Sequence, residues 1–261
     1  MRRLDLRATF DTYAVAWIFL IAVLLAELVY ALLPAHDQTA LVAWASTSVH
    51  SLRQHPVGSL FASTLIPQES ASAWPLLIAL SMFGANRALG NWRTALVCGA
   101  GQVIGTLVSE GIVAYQVAHG LLPAADRYLI DIGPSYVVVS AIVIALLLGS
   151  WRARVAAAVD LVLLVAVGDI FGGLSQLNVA AVGHLTAMIV AAVGTGLLSW
   201  QRQRQRERER AAGSGTANRF RGEVTAPGVA DHPPASPGSP AAPGRVPAGP
   251  EGSDEEPDGP V

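Results

Sequence analysis

A serine and a histidine, far apart in the chain, are the residues whose types and surroundings could carry out chemistry. Ser135 stands in Asp131-Ile-Gly-Pro-Ser-Tyr136, where a polar, turn-prone entry leads directly into an apolar helix. Pro134 suits the first helical position, which places Ser135 in the first turn, beside backbone N–H groups that lack an intrahelical partner. A hydroxyl at the positive end of a helix dipole is either an ordinary cap or a nucleophile next to an anion site.

His184 is the residue that gives the second interpretation its weight. It occurs in Gly183-His-Leu-Thr-Ala187, near the start of the last apolar run. A serine hydroxyl is a poor nucleophile until a base takes its proton, so Ser135 and His184 are informative only as a pair. Taken alone, His184 is more typical of a hydrogen-bonded structural residue between helices.

Ionisable residues inside apolar runs are the next candidates, because charge at membrane depth is costly and usually functional. Glu110 lies within the third apolar run, and Asp169 lies at the end of the fifth. We expect Glu110 to face the interior of the helix bundle, either as a functional group or hydrogen-bonded to backbone at a helix break. Both residues are predicted to share the same half of the bundle with Ser135 and His184.

The composition is that of a membrane protein. Of the 261 residues, 52% are hydrophobic, the mean hydropathy is +0.45, and the apolar residues form long blocks. Blocks of about twenty such residues predict transmembrane helices, whereas the shorter pieces 41–49 and 57–66 predict interfacial or re-entrant helices. We therefore expect an all-α membrane protein with a bundle of six transmembrane helices. These helices are predicted at residues 13–33, 74–89, 94–118, 135–151, 155–170 and 179–200.

Small residues recur four apart on three of the predicted helices. The three sets are Gly101, Gly105 and Ser109; Ala141, Ala145 and Gly149; and Gly183, Ala187, Ala191 and Thr195. Because small residues let helix backbones approach closely in a membrane, the third, fourth and sixth helices are expected to pack tightly together.

The basic residues predict the orientation. All 17 are Arg, and with six spans they collect near the two termini and in the 87–93 and 152–154 loops. Only Arg53 and Arg127 fall on the opposite side. An excess of Arg marks the cytoplasmic side, which predicts a multi-pass protein of the plasma membrane with both termini in the cytoplasm. Asp160, toward the cytoplasmic end of the fifth span, is expected to pair with the arginines of the 152–154 loop.

Composition divides the chain into four parts. Residues 1–12 form a short basic N-terminus, and residues 13–200 form the membrane domain. Residues 201–212 are a basic juxtamembrane segment that favours anionic lipid; nucleic-acid binding is not expected so close to a bilayer. Residues 213–261, rich in Pro, Gly, Ala and Ser with an acidic end, predict a disordered tail that cannot bury a core. The single Cys98 excludes an internal disulfide.

Three motifs in this order resemble the rhomboid intramembrane serine proteases, and more closely the rhomboid-like membrane proteins of actinobacteria. They are Leu107-Val-Ser-Glu-Gly111, the stretch from Asp131 to Tyr136, and the stretch from Gly183 to Ala187. The resemblance covers roughly residues 10–200. It implies a six-helix rhomboid-like bundle with an outward-facing, water-accessible cavity and membrane-protein substrates or clients.

The resemblance also implies roles for individual residues. Ser135 would be the nucleophile and His184 the general base of a catalytic dyad, and neither a metal nor another cofactor is implied. The residues considered as supporting or oxyanion-binding groups are Gly133, Tyr136, Glu110, Asp131 and Asp169.

The sequence departs from the rhomboid protease pattern at three places. Tyr136 follows the serine, where these proteases usually have Gly. Ser72 and Leu76 fall about where their second helix carries the His and Asn that bind the oxyanion. Ala187 and Ala191 replace the two glycines of their sixth helix, which is a mild change. The missing oxyanion donors are the serious departure, because losing one such donor can lower the rate by ~100- to 1,000-fold.

Three functions remain open at this point. The first is intramembrane proteolysis by Ser135 and His184. The second is a rhomboid pseudoprotease, which binds membrane clients without cutting them. The third is a small proton-coupled transporter that uses Glu110, Asp169 and His184 as a relay.

Overall fold

All of the regular secondary structure in the described part of the chain is helical. The computed structural model describes residues 10–66 and 73–223, with side chains as far as Arg210. The all-α prediction is therefore confirmed for these residues. The α-helices are α1 (Ala14–Leu32), α2 (Ala35–Ala45), α3 (Val49–Gln54), α4 (Pro56–Leu65), α5 (Trp74–Leu89), α6 (Asn91–Ala118), α7 (Ser135–Leu148), α8 (Trp151–Ala166) and α9 (Val179–Glu223), with 3-10 helices at Ala124–Tyr128 and Leu174–Gln176.

Three of these helices are long and apolar enough to cross a membrane, judged by length and composition over the described residues. They are α1, α6 and the Val179–Arg210 part of α9. Helices α5, α7 and α8 have 16, 14 and 16 residues, so each is roughly 21–24 Å long at ~1.5 Å per residue. That is less than the ~30 Å of a hydrocarbon core. The count of six spans therefore stays a prediction.

Helix α7 is the buried centre of the bundle. Residues 136–145 are all buried, and α7 packs against α5, α6 and α8. Its sequence has no polar face, and a helix that is apolar all round lies either in a protein core or in a membrane. This position also explains why α7 functions as a core element although it is short.

The predicted boundary between the fourth and fifth spans is wrong by several residues. Helix α7 ends at Leu148 rather than at residue 151, and α8 begins at Trp151 and ends at Ala166 rather than running from 155 to 170. Gly149 and Ser150 both adopt extended conformations between the two helices. Gly and Ser have poor helix propensity and favour helix ends, which outweighs the continuous hydrophobicity on which the prediction depended.

The small-residue stripes of α6 and α9 lie at a helix crossing, as predicted, whereas Ala145 of the α7 stripe lies against Gly84 of α5. A Cβ atom at Gly101 of α6 would overlap the Ser140 hydroxyl of α7, and a Cβ at Gly105 would come within 3.0 Å of the Gly183 carbonyl oxygen of α9. Ala187 of α9 is fully buried at the same crossing. Helix α6 therefore touches both α7 and α9 almost backbone to backbone.

The region between α1 and α5 contains three short helices where two apolar pieces were predicted. Helix α4 begins at Pro56, because proline favours the first turn of a helix. Its Ser59 and Ser63 are buried, and the Ser63 carbonyl accepts a hydrogen bond of 2.7 Å from the Gly133 N–H. This bond attaches α4 to the segment that leads into α7.

Polar side chains join the N-terminus of α1 to α5. Asn86, fully buried on α5, accepts from the Ala16 N–H at 3.2 Å and donates to the Thr12 carbonyl at 2.9 Å. The first N–H groups of a helix need such external partners. At the C-terminal end of α5, the Leu89 carbonyl accepts a hydrogen bond of 2.6 Å from Arg202 of α9.

The expected pairing of Asp160 with the 152–154 arginines is wrong. Asp160 is fully buried and forms no ion pair within the described residues, while Arg154 donates to the Leu147 carbonyl at 3.2 Å. At ~1.5 Å per residue the arginines lie roughly 9–12 Å along the helix axis from Asp160. Sequence proximity therefore did not bring these groups together.

The chain divides into two compact units: the first ends at Glu209, and the second begins at Arg210. The second unit is helical as far as Glu223, so the predicted start of the disordered tail at residue 213 lies within helix. The sequence from Val179 to Glu223 contains no proline that would stop the helix, and the first proline after it is Pro227. The rest of the predicted tail, residues 224–261, and the predicted basic N-terminus, residues 1–9, lie outside the described residues.

We predict that Gly101→Ala destabilises the bundle by about 1–3 kcal/mol, because the added methyl overpacks the α6–α7 crossing. Gly99→Ala, on the same helix with nothing within 4 Å of the added Cβ, is the matched control. Thermal unfolding in detergent measures both variants. The prediction fails if the two variants melt at the same temperature.

Candidate functional site

Ser135 is the first residue of α7, as the sequence predicts. Pro134 precedes it as the N-cap, and the first backbone hydrogen bond of the helix runs from the Val138 N–H to the Pro134 carbonyl at 2.9 Å. The N–H groups of Ser135 and Tyr136 donate to no acceptor in the described parts of the chain. Ser135 is partly exposed, so its hydroxyl and these free donors lie together at an accessible helix start.

His184 lies one turn into α9 and is 5% exposed. Its Nδ1 is 2.9 Å from the Ile170 carbonyl oxygen. A carbonyl only accepts, so Nδ1 carries the proton and Nε2 carries a lone pair. Nε2 is buried and forms no hydrogen bond within the described residues. The imidazole is thus fixed by one nitrogen and unpartnered at the other.

Tyr136 occupies the crossing between α7 and α9. A Cβ atom at Gly183 would overlap the Tyr136 hydroxyl and ring, so the tyrosine fills the space that the glycine leaves open. The ring also contacts the His184 imidazole edge to face, with centroids 5.1 Å apart. Gly183 therefore leaves room for one aromatic ring between α7 and α9.

Asp131 anchors the Tyr136 hydroxyl. Tyr136 donates to Asp131 Oδ2 at 2.9 Å, and Thr47 donates to the same oxygen at 3.3 Å and to the Asp131 carbonyl at 3.0 Å. Burial raises the pKa of the Asp131 carboxyl above its ordinary value, and the hydrogen bonds from Tyr136 and Thr47 act in the opposite direction. The segment before α7 is therefore held from both sides.

Two residues of this network, Ser46 and Thr47, are absent from the sequence-based set of candidates. The Ser46 hydroxyl accepts from the Asp131 N–H at 3.0 Å, and the Thr47 N–H donates to the Asp131 carbonyl at 3.0 Å. The run Ser46-Thr47-Ser48 was the available signal, because three adjacent hydroxyls after a short apolar helix favour local capping. Their partner in the tertiary structure was not visible in the sequence.

Glu110 faces the interior, as predicted. It is 3% exposed, and it lies near Asp131 and Tyr136 on the inner side of the α6–α7 contact. Two carboxyls close together in a buried site repel each other when both are ionised. Among the described residues, no three metal-ligating side chains lie close enough together to hold an ion.

Asp169 and Gly133 do not join the cluster in the manner expected. Asp169 is exposed with a φ of +46°, in the turn after α8, and its carboxyl lies over Gly172. No hydrogen bond joins Asp169 to Glu110 or His184 within the described residues, and the relay stays a prediction. Gly133 has a φ of +120°, which favours glycine, and its N–H is already bonded to the Ser63 carbonyl, so it is not a free oxyanion donor.

Helix α5, the second predicted span, carries no oxyanion donor at position 76. Leu76 of α5 is 59% exposed and apolar, and Ser72 lies outside the described residues. The donors described at the serine include the backbone N–H groups at the start of α7, and the Trp74 indole of α5 lies beside Gly133.

A family model described as rhomboid-like protein matches residues 7–205. The chain belongs to the rhomboid-like protein family. The match extends from before α1 well into α9, and family membership together with the apolar helices makes this a membrane protein. No curated protein matches this chain, and no solved structure does.

We predict that Glu110→Gln leaves the melting temperature in detergent unchanged or raises it. The substitution keeps polar atoms at the site and removes the repulsion between Glu110 and Asp131. Glu110→Leu, of similar size, should also melt no lower than the wild type, because the two buried Glu110 oxygens that it removes form no hydrogen bond within the described residues. Equal damage by both substitutions would show that the charge itself is required.

Proposed function

We propose that this rhomboid-like protein is an intramembrane serine protease, with Ser135 as nucleophile and His184 as general base. The observation that carries the proposal is the state of the imidazole. Nδ1 donates to the Ile170 carbonyl, which leaves the lone pair on a buried Nε2 without a partner. A general base needs that tautomer and a fixed ring.

The helix crossings support the pairing of the two residues. Gly105 of α6 lies against Tyr136 and Gly183, and Gly101, one turn earlier on α6, lies against Ser140 and Ala187. Helices α7 and α9 therefore both run antiparallel to α6 and parallel to each other.

Successive residues of a right-handed α-helix are rotated by ~100° about the helix axis. When two such helices lie parallel and face each other, the residue before the contact on one helix and the residue after the contact on the other therefore point to the same side of the interface. Tyr136 and Gly183 are the contact. Ser135 precedes Tyr136 and His184 follows Gly183, so both are directed to one flank of the α7–α9 interface.

The reaction follows from these positions. Nε2 takes the hydroxyl proton as Ser135 Oγ attacks the peptide carbonyl carbon, and the resulting oxyanion is stabilised by the free N–H groups at the start of α7. The imidazolium then gives the proton to the leaving amine. Water, activated by the same nitrogen, hydrolyses the acyl-enzyme and restores Ser135. The substrates are membrane proteins whose helices unwind locally to present an extended peptide bond.

A rhomboid pseudoprotease is the second candidate, and two observations favour it. Ser135 and His184 share no hydrogen bond, since Nε2 is without a partner. Leu76 supplies no oxyanion donor. In that case the same bundle binds membrane clients without cleaving them.

We predict that a fluorophosphonate probe labels the full-length protein on Ser135. Ser135→Ala and His184→Ala should each abolish labelling, because the hydroxyl reacts only when a base removes its proton. Ser140→Ala is the matched control, since Ser140 lies on the same helix but is fully buried and bonded to the Tyr136 carbonyl. Labelling is read by mass spectrometry of the modified peptide. An unlabelled wild-type protein would favour the pseudoprotease, and label retained in Ser135→Ala would refute the assignment of the nucleophile.

We predict further that both termini are cytoplasmic, with six spans in the plasma membrane. Alkaline phosphatase fused after Val261 should be inactive, because the enzyme matures only outside the cytoplasm, whereas fusion after Ala125, between α6 and α7, should give an active enzyme. The arginine distribution is the physical reason. Activity in the first fusion and none in the second would invert the topology.

A further inference from the structure

A small cavity at the Ala118 end of α6 is lined by two arginines from separate elements. Its volume is about 80 Å³. A cavity that holds one water molecule needs only about 10–15 Å³, so a group of several non-hydrogen atoms fits here. The lining residues are Val49, Arg53, Ala114, Val117, Ala118 and Arg127.

We propose that this cavity binds a phosphate group between the guanidinium groups of Arg53 and Arg127. A guanidinium carries five N–H donors in a planar fork that matches two phosphate oxygens. Neither arginine forms an ion pair or a side-chain hydrogen bond with another described residue. Both forks are therefore available to an external anion.

A ring contact joins the two elements that carry the exposed side chains of Arg53 and Arg127. The His50 ring of α3 packs against the Tyr128 ring of the 3-10 helix, with centroids 4.6 Å apart. Arg53 lies about one turn after His50, and Arg127 directly precedes Tyr128. The two elements that carry the guanidiniums are thus tied together before any ligand binds, which lowers the entropic cost of binding.

The surrounding charges favour an anion rather than an internal ion pair. Asp126 adjoins Arg127 in sequence, and Glu110 lies one turn below Ala114 on α6, yet neither forms an ion pair with either arginine within the described residues. The net charge offered to the cavity is therefore positive. Binding needs no displacement of an internal carboxylate.

The cavity also has an apolar wall, and its place on α6 suits a phosphate at a membrane surface. Ala114, Val117 and Ala118 form one side of the cavity, and α6 is long and apolar enough to cross a membrane. Ala118 is the last residue of α6, so in the proposed topology the cavity lies near the membrane surface, where lipid phosphates are found. A phospholipid headgroup and free inorganic phosphate share the chemistry that the two guanidiniums recognise.

Native mass spectrometry of the full-length protein in detergent, titrated with phosphatidylglycerol, tests the site. We expect one tightly retained lipid, and a loss of affinity of tenfold or more in Arg53→Gln and in Arg127→Gln, because each removes charge-assisted hydrogen bonds. Arg152→Gln, an exposed arginine that does not line this cavity, is the control. Arg53→Lys keeps the charge without the fork and should show an intermediate loss.

The source of the phosphate is distinguished by competition. If the site takes a headgroup, millimolar inorganic phosphate leaves the retained lipid in place. If it takes free phosphate, the inorganic ion displaces the lipid and raises the melting temperature of the wild type but not of Arg53→Gln. The proposal is overturned if neither ligand binds, or if both glutamine variants, folded as judged by their melting curves, retain the lipid as the wild type does.

Discussion

The packing of Tyr136 on Gly183 is the contact from which the geometry of the site follows. The tyrosine ring occupies the position of a missing Cβ, so α7 and α9 are separated by one aromatic ring, with α6 lying against both through Gly101 and Gly105. Because protein interiors are close-packed, the ring acts as a rigid spacer of defined thickness. The depth and rotation of Ser135 and His184 relative to each other are consequences of that spacer.

The hydroxyl of the same tyrosine joins this packing to the polar half of the molecule. Through Asp131 it is connected to Thr47, and hence to the junction between α2 and α3. A buried hydroxyl and a partly buried carboxylate are costly unless each has its partners, so the network is stable as a unit. The short helices before α5 are therefore attached to the start of α7 both by these hydrogen bonds and by the apolar cluster in which Ile132 packs against Ala45 and Ile66.

Local patterns predicted what local physics determines. The apolar runs gave the long helices, the four-residue spacing of small residues gave the α6 crossings, and Pro134 placed Ser135 in its first turn. The boundary at Gly149 was missed because hydrophobicity is continuous there and only backbone propensity changes. The hydrogen bonds of Asp131 with Ser46 and Thr47 could not be predicted, since they join residues that are distant in sequence and that only the completed fold brings together. Arg53 and Arg127 stood out in the sequence as isolated charges, but their common cavity requires the His50–Tyr128 contact.

In the proposed mechanism, the helix contact that orients Ser135 and His184 is separate from the hydrogen-bond donors that would stabilise the oxyanion. The α7–α9 contact directs Ser135 and His184 to one flank without any help from an oxyanion site. Stabilising the oxyanion requires donors, and here they are backbone N–H groups at one helix start, with Leu76 exposed and apolar on α5. Losing one oxyanion donor lowers a rate by ~100- to 1,000-fold. A protease with this site would therefore be slow, whereas binding a membrane client requires no oxyanion donor. The two candidate functions thus use the same bundle and differ in whether the donors at the start of α7 suffice for the chemical step.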